Sequence, residues 1–490
     1  MSATPATVPS LEPEGSRRDV MHLAWPIGVS MISYSFKGVL DSLMVGHLGT
    51  DALAAVGVAG VLAFNVIAFP MGVLRGQKSL VSQYLGAGRS QESFRFGIQA
   101  FYLAAAFSLL FLFLAGQAGS IFALISHGSA MRGESILLGQ KYLGWRIGCS
   151  APTLMALAVG EYLRATGRTR LPMVADLISH PLNLLFNYAL IFGNFGAPKM
   201  GVVGAAIGTG LAETVCLVLL LIFPALTRKG KLPAKPFRFE WVRFRRVLSV
   251  GTASGVQFTL EVGSFSLITF MISRYLGSLS TAVHQAAIQV IHFSFLPAVA
   301  VGDGGSVLIG RFVGMKRYDL VQRTVRSMLQ LIVPLMVAMG LVFLLAGQYI
   351  AAPFIHNEDP ELQARGIALG GALLAVAAVW QLGDAFQIVY RFSLRAAGDH
   401  QWVMWAGVSL TWVLSVPLAW TAMQVFGGDV NLVWLMWSGE LYLGAWVFRR
   451  RWKSGAWRRK RLVQASSEEE ALPELNPPPS PEATLPPAAS

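Results

Sequence analysis

Apolar residues fall along this chain in twelve long runs separated by short polar segments. The runs cover roughly 20–44, 52–74, 96–125, 135–163, 171–193, 201–224, 247–273, 279–309, 325–350, 364–394, 401–425 and 430–448. A helix needs about 20 apolar residues to cross ~30 Å of hydrocarbon, so each run predicts a membrane-spanning helix. Runs longer than about 25 residues imply tilt or extension beyond the bilayer. The predicted fold class is an all-α polytopic membrane protein.

Inside the runs, polar residues keep helical spacing. Ser254, Gln257, Glu261 and Ser264 stand 3, 4 and 3 apart, on one face of the seventh run. Gln285, Gln289 and His292 share a face of the eighth, and Asp176, His180, Asn183 and Asn187 a face of the fifth. Trp380, Gln381, Asp384 and Gln387 cluster in the tenth, and Lys37 precedes Asp41 by one turn in the first. An ionisable group at the centre of a span costs about 2.5 kcal/mol or more, so it faces a wet cavity or a partner. Glu261 therefore reads as part of a transport site, with a helix-packing glutamate as the plainer reading. Lys37 and Asp41 are expected to form an ion pair, either structural or one that keeps the carboxylate charged. The fifth-run stripe suits a wet lining, although His180 could instead bond a carbonyl freed by Pro181. Glu213, Asp303 and Glu440 are further acids within runs that the sequence does not rank.

The chain repeats itself. Met44 to Gly49 after the first run echoes Ser273 to Gly277 after the seventh. Ser79 to Gly86 echoes Ser306 to Gly314, and Leu163 to Gly167 echoes Leu394 to Gly398. Matching elements lie 228 to 231 positions apart, so each repeat holds six spans. An even count keeps both halves in one orientation, as parallel repeats about the membrane normal. The expected organisation is a cytoplasmic segment at 1–19, an N-lobe at 20–224, a basic linker at 225–246, a C-lobe at 247–450 and a cytoplasmic tail at 451–490. Beyond 461 the tail turns Ser-, Glu- and Pro-rich and is expected to be disordered. Gly72/Gly76, Gly204/Gly208, Gly251/Gly255 and Gly366/Gly370 are small-xxx-small pairs suited to close helix contact. Pro26, Pro70, Pro152, Pro181, Pro297, Pro334 and Pro417 free backbone carbonyls in or near spans, as hinges or as static kinks.

Composition agrees: 54% of residues are hydrophobic and 13% charged, where soluble domains carry about 25% charged. The net charge of +13 is distributed in short clusters between runs, which fits the positive-inside rule and not a nucleic-acid-binding face. Basic clusters at Arg75/Lys78/Arg89, Arg164/Arg168/Arg170, 228–246, Arg311/Lys316/Arg317 and 449–461 all follow even-numbered runs. Both ends are therefore expected in the cytoplasm, with the first span an uncleaved anchor. Cys149 and Cys216 sit in apolar runs and build no disulfide framework or metal site. No phosphate-binding loop, H-E-x-x-H or G-x-S-x-G motif occurs, so neither an ATP-driven pump nor an enzyme is indicated.

Several segments together resemble the multidrug and toxic compound extrusion (MATE) transporters over about residues 20–450. They are Asp41 to Gly46, Ala52 to Gly57, Val81 to Gly88, Gly201 to Ala206, Leu382 to Gln387 and Leu394 to Gly398. The resemblance, nearest to the NorM-type branch, implies two pseudo-symmetric six-helix bundles that export organic cations in exchange for Na⁺ or H⁺. It implies that Glu261 and Asp384 are cation-site acids and that Asp41 is the family's first-helix acid. Departures matter: Asn187 stands where relatives with a first-lobe cation site carry an acid, which weakens that site. Trp380 replaces a tyrosine of some NorM-type proteins and removes an oxygen ligand. Lys37 is unusual, and would make Asp41 either a poor proton carrier or a gated one.

The expected function is a secondary antiporter working by alternating access, without a resident cofactor, as a monomer in a cell membrane (the inner membrane in a bacterium). Glu261 and Asp384 would pair around the driving ion, Na⁺ ahead of H⁺, since oxygen ligands suit a hard cation. Gln257, Gln285, Gln289, Asn183, Asn187, Gln381, Trp380 and Lys37 would line the cavity. The alternative is a flippase for lipid-linked glycans, which would need a strongly cationic cavity. A channel is disfavoured by the duplication.

Overall fold

The structure, a computed structural model, describes residues 13–126, 133–227, 236–355 and 359–463, which are helical with no strand among them. The polar start at 1–12, residues 127–132, the linker at 228–235, residues 356–358 and the tail from 464 lie outside the described residues.

The first half comprises α1 (Arg17–Gly46), α2 (Thr50–Gly86), α3 (Ser90–Ser126), α4 (Gly133–Gly148), α5 (Ala151–Ala165), α6 (Arg170–Phe192) and α7 (Val202–Thr227). The second comprises α8 (Trp241–Gly314), α9 (Tyr318–Ala351), α10 (Pro360–Ala397), α11 (His400–Ser409), α12 (Val416–Gln424) and α13 (Val430–Lys453). These make the twelve spans of a two-bundle fold. The fourth span is split into α4 and α5 ahead of Pro152, which sits in the first turn of α5. The eleventh joins α11 to α12 through a π-helical turn over Leu410–Ser415. Pro417 follows that turn and lacks the N–H that an unbroken α-helix would use there. Pro26, Pro70, Pro181, Pro297 and Pro334 lie inside helices that continue through them.

The seventh and eighth spans run on as α8, interrupted only at Gly277, with φ 81° and ψ −175°. This left-handed backbone is open to glycine and strained for other residues. The duplication recurs in such positions: Gly49 and Gly277, Gly88 and Lys316, and Gly167 and Gly398 all have positive φ, 228, 228 and 231 residues apart. Chain reversals therefore repeat between the halves, although one of the six is a lysine. Local signals also set helix starts. Ser16 and Asp19 form a reciprocal capping box that begins α1, and Asp429 accepts from the N–H groups of Asn431 and Leu432 to begin α13.

At the end away from the basic segments, the apolar cores respect the two lobes. One joins Val45, Ala52, Ile191 and Val202 of the first half, the other Ile268, Val283, Phe343, Leu373 and Trp434 of the second. At the basic end they interleave. Val20, Leu23 and Ala24 at the start of α1 join the core of α8–α10, while Val247 near the start of α8 joins the core of α2–α5. The glycine pairs explain how closely the halves meet. Gly72 and Gly76 of α2 lie against Gly255 and Gly251 of α8, where an added Cβ would approach the opposing Cα to 2.6 Å in each case. Any larger side chain would push the two helices apart.

Candidate transport sites in the two lobes

In the C-lobe, α8 and α10 turn their polar stripes toward each other. The Arg391 guanidinium pairs with Glu261 Oε1, the two side chains being 20% and 23% exposed. The same oxygen accepts from Gln257 Nε2 at 2.8 Å. Gln257 Oε1 in turn accepts from Arg395 at 2.7 Å, and Gln387 Oε1 from Arg391 at 3.1 Å. Gln387 Nε2 reaches Glu440 Oε1 on α13 at 3.4 Å. The result is a continuous polar chain from Arg395 to Glu440 through the middle of the bundle.

The expectation that Glu261 and Asp384 pair around a driving ion gains one addition, a cation already beside Glu261. Glu261 is engaged by a guanidinium, while Asp384 is half-buried one turn before Gln387 and makes no hydrogen bond or ion pair among the described residues. Arg391, toward the basic end of α10, was not singled out in the sequence. Its spacing was the missed signal: Gln387, Arg391 and Arg395 continue the Asp384 face at four-residue intervals.

Several residues expected on a cavity wall are inside the bundles instead. Gln257, Gln381, Asn183 and Asn187 are buried. Gln381 donates to Ser294 Oγ at 3.2 Å. Trp380 is buried too, stacked on Trp434 at 4.5 Å with its indole N–H on the Trp434 carbonyl at 3.0 Å. Gln285 and Gln289 are exposed on α8, apart from the Glu261 network. His292 lies across the lobe junction, 3.4 Å from Ser35 Oγ of α1.

In the N-lobe, Lys37 does not pair with Asp41. Its Nζ reaches across to Glu213 Oε1 on α7 at 3.2 Å, with the Tyr34 ring 5.4 Å away. A long stem on a packed helix can reach the next helix, where Glu213 is half-buried like Asp41. Asp41 Oδ1 instead accepts from Asn187 Nδ2 at 2.7 Å. Asn187 also donates to Asn183 at 3.4 Å, and Asn183 to Thr209 Oγ1 at 3.2 Å. His180, from the same stripe, meets Ser33 Oγ of α1 through Nδ1 at 2.7 Å, so it does not serve the backbone near Pro181.

A third charged cluster joins the halves near the basic end. Lys78, counted in the sequence among loop cations, is buried on α2 and contacts Glu161 of α5 at 2.9 Å and Asp303 of α8. Arg164 completes it, 3.0 Å from Glu161 and 3.8 Å from Asp176. Glu161 was not singled out in the sequence, although Glu161 and Arg164 at i, i+3 were a legible pair.

Similar chains include the uncharacterized transporter YisQ of Bacillus subtilis, 24% identical over 92% of this chain and 97% of its own. A probable multidrug resistance protein NorM of Geobacillus kaustophilus is 26% identical over 91% and 96%. Among solved structures, a MATE in complex with MaL6 superposes with a TM-score of 0.82 at 17% identity, covering 90% of this chain and 97% of that one. A MOP superfamily transporter from Pyrococcus furiosus gives 0.81 at 18%, covering 90% and 96%. By length and composition, seven of the described helices are apolar enough to cross a membrane, α8 alone carrying two crossings. The MatE family model matches residues 26–189 and 253–421, across both repeats, and the chain belongs to that family: a multi-pass membrane transporter and not an enzyme.

Proposed function

We propose that this transporter exports organic cations from the cytoplasm in exchange for Na⁺, or failing that H⁺, by alternating access, as a monomer with both ends cytoplasmic. The names of relatives, multidrug resistance proteins NorM and MdtK, support drug extrusion. The lobes meet closely at the basic end, through the glycine crossing and the Lys78 cluster. With that end cytoplasmic, the conformation is closed to the cytoplasm.

The observation that carries the reading is the Glu261–Arg391 pair beside Asp384, an acid with no partner among the described residues. A driving cation at Asp384 would repel the Arg391 guanidinium, and one bound at Glu261 would have to displace it. Either event redistributes charge between α8 and α10. Such differential stabilisation of two arrangements is what coupling requires. Gln257, Gln387 and Glu440 supply further oxygens for a hard cation.

The test is uptake of a fluorescent organic cation into inverted vesicles, driven separately by Na⁺ and pH gradients. Glu261→Gln and Asp384→Asn should each abolish coupled transport per folded molecule. Near-normal rates in both would remove these acids from the mechanism, and efflux that follows only the proton gradient would assign H⁺. A second reading, a flippase for an anionic lipid-linked substrate, draws on Arg391 and Arg395 within the same network. It predicts no transport of the cation under either gradient.

A further inference from the structure

The chain does not end its structural role with the last span. After α13, Gly455 turns the backbone through φ 68°, and residues 456–460 form a short 3₁₀ helix. Trp457 inserts fully into the C-lobe core, stacked on Trp452 at 4.4 Å with its indole N–H on the Trp452 carbonyl at 2.9 Å. The strand of chain that follows crosses the turn between α10 and α11. It passes so close to Gly398 that an added Cβ there would meet the Lys460 carbonyl. It then reaches the other lobe, where Leu462 and Val463 pack against the core of α2–α5.

Backbone contacts fasten that crossing. The Leu462 N–H donates to Gln83 Oε1 at 2.8 Å, and the Leu462 carbonyl accepts from Arg246. Gln83 is buried on α2, and its Nε2 simultaneously donates to the Ala396 carbonyl of α10 at 2.7 Å. One side-chain amide thus holds the N-lobe, the C-lobe and the post-span segment together. Parting the lobes at this end must break this set. Arg458, Arg459, Lys460 and Arg461 are exposed, and the Arg458 guanidinium also lies over the Tyr318 ring at 5.3 Å.

We propose that residues 455–463 form a strap tying the two lobes at the basic end, and that acidic phospholipid headgroups hold it down by its cationic outer edge. A run of cations directly beyond a span is attracted to an anionic leaflet, over a distance set by salt screening. Trp457, wholly buried in the C-lobe core, anchors the strap's inner side to the protein itself. Lipid composition would then bias the equilibrium between closed and open states at this end. The inference rests on the two-lobe alternating-access reading, but its test measures lobe separation and not transport.

The full chain carrying R168C and M315C, one spin label on each lobe at the basic end, is placed in nanodiscs of phosphatidylcholine with or without phosphatidylglycerol. Pulsed electron resonance reads the distance distribution. Phosphatidylglycerol is expected to suppress the long-distance population of the otherwise unaltered chain, by roughly tenfold. The variant R458Q/R459Q/K460Q/R461Q should lose that lipid response, with the long population present in both lipids. Leu462→Gly should show it in both lipids with the cations intact. Melting temperature on each sample checks that the variants remain folded. A lipid response surviving in the neutralised variant, or distances unchanged by Leu462→Gly, would overturn the proposal.

Discussion

The two lobes share a plan and divide their charges differently. In each, one acid is neutralised by a cation from a neighbouring helix: Glu213 by Lys37 in the N-lobe, Glu261 by Arg391 in the C-lobe. In each, a second acid makes no ion pair among the described residues. Asp41 accepts from the Asn187 amide, at the end of a ladder through Asn183 to Thr209. Asp384 makes no such bond among the described residues, while nearby Glu440 accepts from Gln387. The N-lobe acid is thus tethered by an amide, and the C-lobe acid stands one turn from a network that contains two arginines. The comparison teaches that an intramembrane acid is not by itself a cation site: its neighbours decide whether it can exchange partners.

The contrast is broken hardest at the enclosed N-lobe pair. Lys37→Met leaves Glu213 charged and largely enclosed, and should cost about 3–5 kcal/mol. Lys37→Met with Glu213→Leu should recover most of that loss, since an apolar pair can replace a buried ion pair at little cost. Thermal unfolding of the purified protein in detergent checks both variants. Ion-gradient dependence of transport should survive in the double variant if the pair is only structural.

Arg391→Met tests the opposite lobe and should cost less stability, on the order of 2 kcal/mol, because this pair is more exposed and better solvated. Its functional effect should be the larger of the two. Glu261→Gln with Arg391→Gln should restore the melting temperature and leave coupling absent, which separates the pair's mechanical role from its functional one. A double variant that still couples would place the driving ion elsewhere.

Asn187→Ala sharpens the tethering argument. Removing the donor to Asp41 should cost about 1–2 kcal/mol through a half-buried acceptor left unmet. The matching change on the C-lobe side, Gln387→Ala, should cost less at Glu440, whose bond is long at 3.4 Å. Equal losses in melting temperature would show that Asp41 and Glu440 depend alike on their amide donors.

The smallest expected effect lies in the backbone. Gly88 and Lys316 occupy equivalent reversals with positive φ, but only one is glycine. Lys316→Gly should stabilise by about 0.5–1 kcal/mol, and Gly88→Ala should destabilise by about 1 kcal/mol. Melting temperatures that move in the same direction for both would contradict equivalent turns.

Much of the architecture was legible in the sequence because hydrocarbon imposes a length and a polarity on every crossing. Twelve runs became twelve spans, and repeated Gly-containing segments became repeated reversals. Small-xxx-small pairs marked the α2–α8 crossing, since nothing larger permits backbones to approach so closely. Partner choice was not legible. Helical spacing puts Lys37 beside Asp41 and Glu261 on a polar stripe, but a long side chain bonds whatever the next helix presents. Packing brought Glu213 to Lys37, Arg391 to Glu261, and Lys78 to both Glu161 and Asp303. Nor did 228–231-residue periodicity reveal that the start of α1 sits in the C-lobe core and the start of α8 in the N-lobe core. Periodicity along one helix fixes which residues share a face. Only the assembled bundle decides what that face meets, because each charge is settled by contacts between segments far apart in the chain.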